Sequence, residues 1–344
     1  MKNNKEISRS KQLSKKIIFV DGIAGCGKTL FSQIIASFDK VEILNYAFEV
    51  EWICRLFYLK KINNDAAQSM IKMLIDLKIY GNMMGRDVNF RYSDLSGVFQ
   101  NPKPLRYFKR IFGSGDLDVP RKIDEFQPIL NFTTHDLLPL SKPIFEGLGK
   151  DILFLDIERH PLFMVIQQTL NMERLLNNPR NIAIYFKYNN YEIPSWAEGW
   201  EELYLKSNFV EKAIFYMYHQ IDLREKFHSE NKKLLKSQII TIPFEKFVKN
   251  PYSYLSEIED KFELKVTKLV QKVMKKQKVP RKNIVDGIPL SIYKRCGWTP
   301  PDKNLTEKEE YLKRRQFIID QGANKFALET IDNLSFAYEK KHCF

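Results

Sequence analysis

Eight residues constrain this chain more than any others: Gly22-Ile23-Ala24-Gly25-Cys26-Gly27-Lys28-Thr29, set directly behind the apolar run Ile17-Ile18-Phe19-Val20. The spacing reads GxxxxGK[ST] after a strand-like segment, and Leu30-Phe31-Ser32-Gln33-Ile34-Ile35-Ala36 continues it as a helix. Strand, glycine-rich turn and helix in this order predict a cradle for a phosphorylated nucleotide. Glycines let successive backbone N–H groups turn inward around an anion, and the helix adds its positive dipole end. Lys28 then reaches a terminal phosphate or its surrogate, and Thr29 is placed to hold a magnesium ion where one is used.

Further apolar runs at 41–44, 129–134, 152–157 and 239–242 read as buried parallel strands, like the first at 16–21, and long helical stretches separate them. That alternation predicts an α/β fold: a P-loop-type doubly wound, mainly parallel sheet flanked by helices, with helical insertions. Roughly eighty residues lie between the second and third strands, too many for a bare loop. They read as a helical insertion over about 46–125, helical at 66–77 and ending in the polar stretch 85–97, placed to act as a substrate lid. A second insertion, 177–199, rich in Asn and aromatic residues, reads as irregular and facing an acceptor. The domain plan is thus a basic flexible leader at 1–14, one domain over 15–300 and a helical extension over 301–344.

The formal net charge of +13 favours anionic partners, and a nucleotide accounts for part of it. Lys265, Lys268, Lys272 and Lys275 line one side of a helix whose other side carries Val266, Leu269, Val270 and Val273. With no interleaved aromatic platform, this is a solvated face and not a nucleic-acid site. Residues 1–16 hold six Lys or Arg against one Glu and no apolar stretch, so they read as a solvated leader and not a secretory signal. No run approaches the roughly 20 apolar residues of a membrane helix, and the expected location is the cytoplasm. Cys26, Cys54, Cys296 and Cys343 lack metal-ligand spacing and read as reduced thiols. The oligomeric state is open.

Two strand ends carry chemistry. After the third strand comes Thr133-Thr134-His135-Asp136-Leu137-Leu138-Pro139, and the fourth strand runs into Asp156-Ile157-Glu158-Arg159-His160-Pro161. Both fall on the sheet edge where the phosphate loop lies. A histidine there, with an ordinary pKa of about 6.5, suits a general base or a capping role. Arg159 has a fork suited equally to a phosphate and to a nearby carboxylate. Asp156 closes its strand as a magnesium-organising acid does in many P-loop enzymes, and equally as a structural acid. Arg86 and Arg91 in the polar stretch are candidate donor or acceptor contacts or paired surface charges. Trp196, Trp200 and Trp298 are stacking candidates or buried anchors.

The order of these pieces, with Thr241-Ile242-Pro243-Phe244-Glu245-Lys246-Phe247-Val248-Lys249-Asn250-Pro251 after the fifth strand, resembles the sulfotransferases that use 3′-phosphoadenosine 5′-phosphosulfate (PAPS). The resemblance runs from Lys16 to about Trp298. It comprises the phosphate loop, a Thr-His element before Leu-Pro, a strand ending in Arg-x-Pro, the Phe244–Pro251 segment and the late basic element Pro280-Arg281-Lys282-Asn283 with Gly287. It implies a sulfuryl transferase with PAPS as donor and a hydroxyl or amine of a carbohydrate or small molecule as acceptor. It implies His135 and Lys28 as catalytic residues. Gly22, Gly25, Cys26, Gly27, Lys28 and Thr29 would bind the 5′-phosphosulfate, and Arg159, Gln167, Arg281 and Lys282 the 3′-phosphate, with no metal. Two positions depart from the family pattern: Gln167 stands where a serine is usual, and the loop lysine follows the final glycine instead of preceding it by two. The second departure keeps an alternative open, an ATP- or GTP-dependent small-molecule kinase in which Thr29 and Asp156 organise magnesium. A nucleotide-binding protein without transfer chemistry is the third reading.

Overall fold

The computed structural model describes residues 5–176, 178–288, 297 and 300–342. Trp298, Cys296 and Cys343 lie outside the described residues. Among the described residues seven strands form in chain order: β1 Lys16–Asp21, β2 Val41–Tyr46, β3 Ile129–Thr133, β4 Ile152–Glu158, β5 Tyr185–Tyr188, β6 Tyr191–Pro194 and β7 Ile239–Pro243. Five of them make one sheet in the order β2-β3-β1-β4-β7, and every neighbouring pair is parallel. Parallel strands carry helices on both faces, which is why β3 and β4 are buried at every position and read as continuous apolar runs.

The two faces of the sheet have separate cores. Ile18, Val20, Leu153, Leu155 and Ile157 pack on one side with the helices Lys28–Ile35 and Pro161–Leu175. On the other side the Phe19 ring lies 5.5 Å from that of Phe132 and 4.6 Å from that of Phe154, under helices Phe48–Tyr58 and Asn64–Met84. The long helix Asn64–Met84 buries Ala67, Ile71, Ile75 and Ile79, one residue per turn, and ends at Gly85 in a left-handed conformation. Helices Pro104–Ile111 and Asp118–Phe126 complete the segment between β2 and β3.

Two sequence expectations change. The leader is not free of the domain from Ile7 onward. Buried Asp76 accepts the backbone N–H groups of Leu13 and Ser14 and the Nε–H of Arg9, at 2.8, 3.1 and 3.0 Å. A buried carboxylate needs such donors, and the leader supplies them. The stretch 177–199 contains an antiparallel hairpin, β5 with β6, turned by Asn189 and Asn190, both at positive φ. An Asn pair between alternating aromatic residues is a hairpin turn signal, and it was present in the sequence.

The topology decides where the site lies. Strands β3, β1 and β4 are adjacent, so their C-terminal ends bring Thr134–Leu138, the phosphate loop and Glu158–Pro161 to one edge. The chain winds away from β1 in opposite directions to β2–β3 and to β4–β7, making the crevice in which doubly wound sheets bind ligands. Among the described residues, no helix is long and apolar enough to cross a membrane.

Candidate active site

The phosphate loop is built on glycine for steric reasons. Gly22, Gly25 and Gly27 have φ of 141°, 92° and 105°. A Cβ on Gly22 would stand 2.4 Å from the Ile157 carbonyl oxygen, and one on Gly27 would stand 2.3 Å from the Phe244 ring. Helix Lys28–Ile35 starts at Gly27 with no side-chain cap, which leaves its first N–H groups to an anion. Lys28 is buried and lies across the loop, donating to the carbonyls of Gly22 and Ile23. Gln168 donates to the Ala24 carbonyl at 2.5 Å, and the neighbouring Gln167 side chain faces Gly25. Cys26 is buried, and burial raises its thiol pKa, so it fills space beneath the loop as a neutral group.

On one side the loop opens into a cavity of about 170 Å³ whose walls include Gly25, Gly27, Thr29, Arg159, Phe244 and Arg281. The β4-to-helix turn delivers Arg159. Its Nη1 donates to the Gly25 carbonyl at 2.8 Å, its guanidinium stacks over Phe244 at 4.4 Å, and its buried Nε has no hydrogen-bond partner among the described residues. Arg281 is held by the carbonyls of Lys278, Ile284 and Gln277. Burial, reinforced by the like charge of Arg159, lowers its pKa to about 10. Two neighbouring guanidinium groups beside an unsatisfied N–H are suited to an anion. Gln167, Lys303 and Arg314 also line this cavity. Lys282, in contrast, is exposed and is not part of its wall.

The other side of the loop borders a smaller cleft lined by Gly25, Lys28, Thr29, Tyr46, Leu95, His135 and Gln167. Asp21, at the end of β1, sets the loop that carries His135. Its carboxylate accepts from the Thr134 hydroxyl at 2.7 Å and from the N–H groups of Leu137 and Leu138 at 3.1 and 2.9 Å. Glu51, from helix Phe48–Tyr58, accepts the His135 backbone N–H at 2.8 Å and faces its Nδ1 at 3.2 Å. The Phe48 ring lies parallel to the imidazole at 6.0 Å. With Nδ1–H held by Glu51, the tautomer set by this network leaves Nε2 as the basic nitrogen. Asp136 turns the other way, in a left-handed conformation, and accepts a hydrogen bond from Tyr216.

Asp156 does not face the phosphate loop. It alternates with Leu155 and Ile157, so it shares the Phe154 face of the sheet, where it meets Arg224 Nε and His228 Nε2, each at 3.2 Å. Glu158 pairs with Lys341 at 2.8 Å and His342 at 2.6 Å. Asp156, Glu158 and His228 offer ligand atoms within 4.8 Å of one another. Arg224 and Lys341 already balance the two carboxylates, so the group is an ion-pair network, and its geometry is at odds with a magnesium role for Asp156 beside Thr29.

The remaining candidates divide plainly. Arg86 and Arg91 are exposed, and their stretch reaches the cleft through Leu95, whose carbonyl accepts from Gln33 at 3.0 Å. Trp196 and Trp200 pack on each other and on Tyr204, Trp200 buried in the core and Trp196 partly buried against it. Sequence reading missed Glu51 and Asp21, whose partners lie far along the chain, and Arg314, which pairs locally with Glu310 but reaches the distant carbonyls of Leu162 and Phe163. No local spacing announces those distant contacts.

The sheet order and the glycine loop define a P-loop-type α/β protein, with the paired arginines beside that loop at the carboxyl edge of its central strands. No protein family and no curated protein matches the chain. Among solved structures it is similar to the sulfotransferase domain from the Synechococcus PCC 7002 olefin synthase, with 10% identity, 97% of this chain and 98% of that one covered, and a TM-score of 0.44. It is also similar to the sulfotransferase domain from the curacin biosynthetic pathway, with 11% identity, 90% and 99% covered, and a TM-score of 0.41. A sulfotransferase from Mycobacterium tuberculosis aligns at 11% identity over 82% of this chain and 76% of that one, with a TM-score of 0.38. At identities and scores this low, the residues of this chain alone decide what its site can do.

Proposed function

We propose that this protein is a PAPS-dependent sulfotransferase that acts on a hydroxyl or amine of a small molecule or carbohydrate. One observation carries the reading: a single glycine loop separates a cavity walled by Arg159 and Arg281 from a cleft that holds Lys28 and a carboxylate-oriented histidine. A donor with one anionic group for the arginines and another for the loop fits that division.

In this reading Arg159 and Arg281 hold the 3′-phosphate, and the loop N–H groups with Lys28 and Thr29 hold the 5′-phosphosulfate. The acceptor gives its proton to His135 Nε2 as its oxygen or nitrogen bonds to sulfur. The bond between sulfur and the bridging oxygen of the 5′-phosphate breaks, and 3′,5′-adenosine bisphosphate leaves with that electron pair. Charge builds on the leaving oxygen in such a loose in-line transfer, and fixed N–H groups and Lys28 stabilise it there. Glu51 keeps the imidazole in the required tautomer and stabilises the imidazolium that forms.

A kinase reading is supported by Lys28-Thr29 alone, since Asp156 is committed to Arg224 and His228. Calorimetric titration with 3′,5′-adenosine bisphosphate, ADP and ATP, each with and without magnesium, separates the two. Metal-independent preference for the bisphosphate is the expected result. Magnesium-dependent preference for ATP would overturn the sulfotransferase reading and leave His135 without a task.

A further inference from the structure

Helix Phe48–Tyr58 turns one face toward the His135 loop, and that face carries Phe48, Glu51 and Arg55 at positions i, i+3 and i+7. The first two are explained, since Phe48 stacks on the imidazole and Glu51 holds its Nδ1. Arg55 is not. Its guanidinium sits 5.7 Å from the Tyr58 ring, and among the described residues no hydrogen-bond acceptor or ion-pair partner reaches it.

That is exceptional for an enclosed arginine in this molecule. Arg110 is bidentate on Glu42, Arg224 meets Asp156, Arg314 meets Glu310, and Arg281 takes three carbonyls. Arg55 is only partly accessible, and burial lowers its pKa, with Tyr216, Asp136, Tyr58 and Glu198 the groups that oppose the shift. Asp136 is bonded to Tyr216, and Glu198 is exposed. Its nitrogens are not sealed from water, so five donors stand one turn beyond Glu51 with solvent alone to accept from them.

We propose that Arg55 anchors a carboxylate of the acceptor, so that the acceptor is a hydroxy acid whose hydroxyl meets His135. This rests on the proposed function, with the acceptor meeting His135 from the side of helix Phe48–Tyr58. Arg55 lies four residues beyond Glu51, about 6 Å along the helix axis, so the carboxylate stands apart from the reacting hydroxyl by roughly that distance or more. A single guanidinium matches the two oxygens of a carboxylate side by side. The neighbouring carboxylates of Glu51, Asp136 and Glu198 disfavour a dianion such as a phosphate monoester.

The test is binding, read with and without 3′,5′-adenosine bisphosphate. 4-Hydroxyphenylacetate and its amide are titrated into the full-length protein, together with 6-hydroxyhexanoate and its amide. Wild type should bind the acids at least about tenfold more tightly than the amides, the scale of one charge-assisted pair. Arg55→Gln should bind acid and amide alike while keeping wild-type affinity for the bisphosphate, which shows that the variant folds. Lys272→Gln, which removes an exposed positive charge from the solvated lysine face, should keep the acid preference. Equal binding of acid and amide by wild type, no acid binding at all, or an acid preference intact in Arg55→Gln would each overturn the proposal. Failure of wild type to bind the bisphosphate strikes the donor reading instead, and the nucleotide-free titration still decides the role of Arg55.

Discussion

Arg159 and Arg224 both sit against the C-terminal end of β4, and their surroundings could hardly differ more. Arg224, on helix Phe209–Glu230, meets Asp156 at 3.2 Å and Asp136 at 3.9 Å, and the acids around it raise its pKa against the cost of burial. Arg159 meets a backbone carbonyl, the rings of Phe244 and Phe163, and the like charge of Arg281, with Glu245 no nearer than 3.8 Å. An arginine surrounded by carboxylates holds the fold together, because its charge is already neutralised. An arginine packed among arginines and rings retains its attraction for an anion that comes from outside.

That contrast can be broken or sharpened by four substitutions. The largest effect is expected at the cleft: His135→Ala should lower sulfuryl transfer by about a thousandfold while bisphosphate affinity holds. Turnover and calorimetry on the same preparation check it, and unchanged turnover removes the histidine from the mechanism. Next, Arg159→Ala should weaken 3′,5′-adenosine bisphosphate by about a hundredfold and adenosine 5′-phosphate far less, since one charge-assisted contact to the 3′-phosphate is lost. An equal loss for both ligands would make Arg159 a brace for the loop and nothing more.

On the structural side of the comparison, Glu158→Gln should cost about 3 kcal/mol of stability at neutral pH without a specific loss of nucleotide affinity. Burial works to raise the Glu158 pKa, but His342, Lys341 and Arg224 outweigh it and hold it at about 2. Because the folded value lies below the unfolded one, this stabilisation is full above about 4.5 and fades as pH falls toward 2. Denaturant titrations at pH 7 and pH 3 should therefore show wild type and variant converging in acid; a constant gap would refute the assignment. The smallest effect belongs to exposed Lys282, where Ala should change bisphosphate affinity by about twofold or less. A loss as large as that of Arg159→Ala would place Lys282 on the donor after all.

The sheet and the loop were legible because parallel strands and glycine turns write themselves locally. Continuous apolar runs follow from burial on both faces, and positive φ at Gly22, Gly25 and Gly27 demands glycine. The placement of His135 and Arg159 just beyond strand ends was legible too. Their environments were not. Glu51 meets His135 across 84 positions of sequence, and Asp21 reaches Leu138 across 117. Side chains that find each other through the fold leave no periodicity to read, which is also why Asp156 could pass for a magnesium acid until Arg224 and His228 were seen beside it. The Asn189-Asn190 turn is the opposite case, a local signal submerged in a stretch that read as irregular.

The helix Lys325–His342 braces the segment that bears Arg159. Lys341 and His342 hold Glu158, Glu339 faces His160, and Tyr338 donates to Glu245 at 2.5 Å. Glu158 and His342 are 184 positions apart. At a synthesis rate of about 5–20 residues per second, a ribosome needs roughly ten to forty seconds to make the second after the first. Throughout that interval Glu158 lacks Lys341 and His342, and Glu245 has the His160 N–H but lacks the Tyr338 hydroxyl. The sheet can assemble during translation, but the surroundings of Arg159 are complete only when this helix docks.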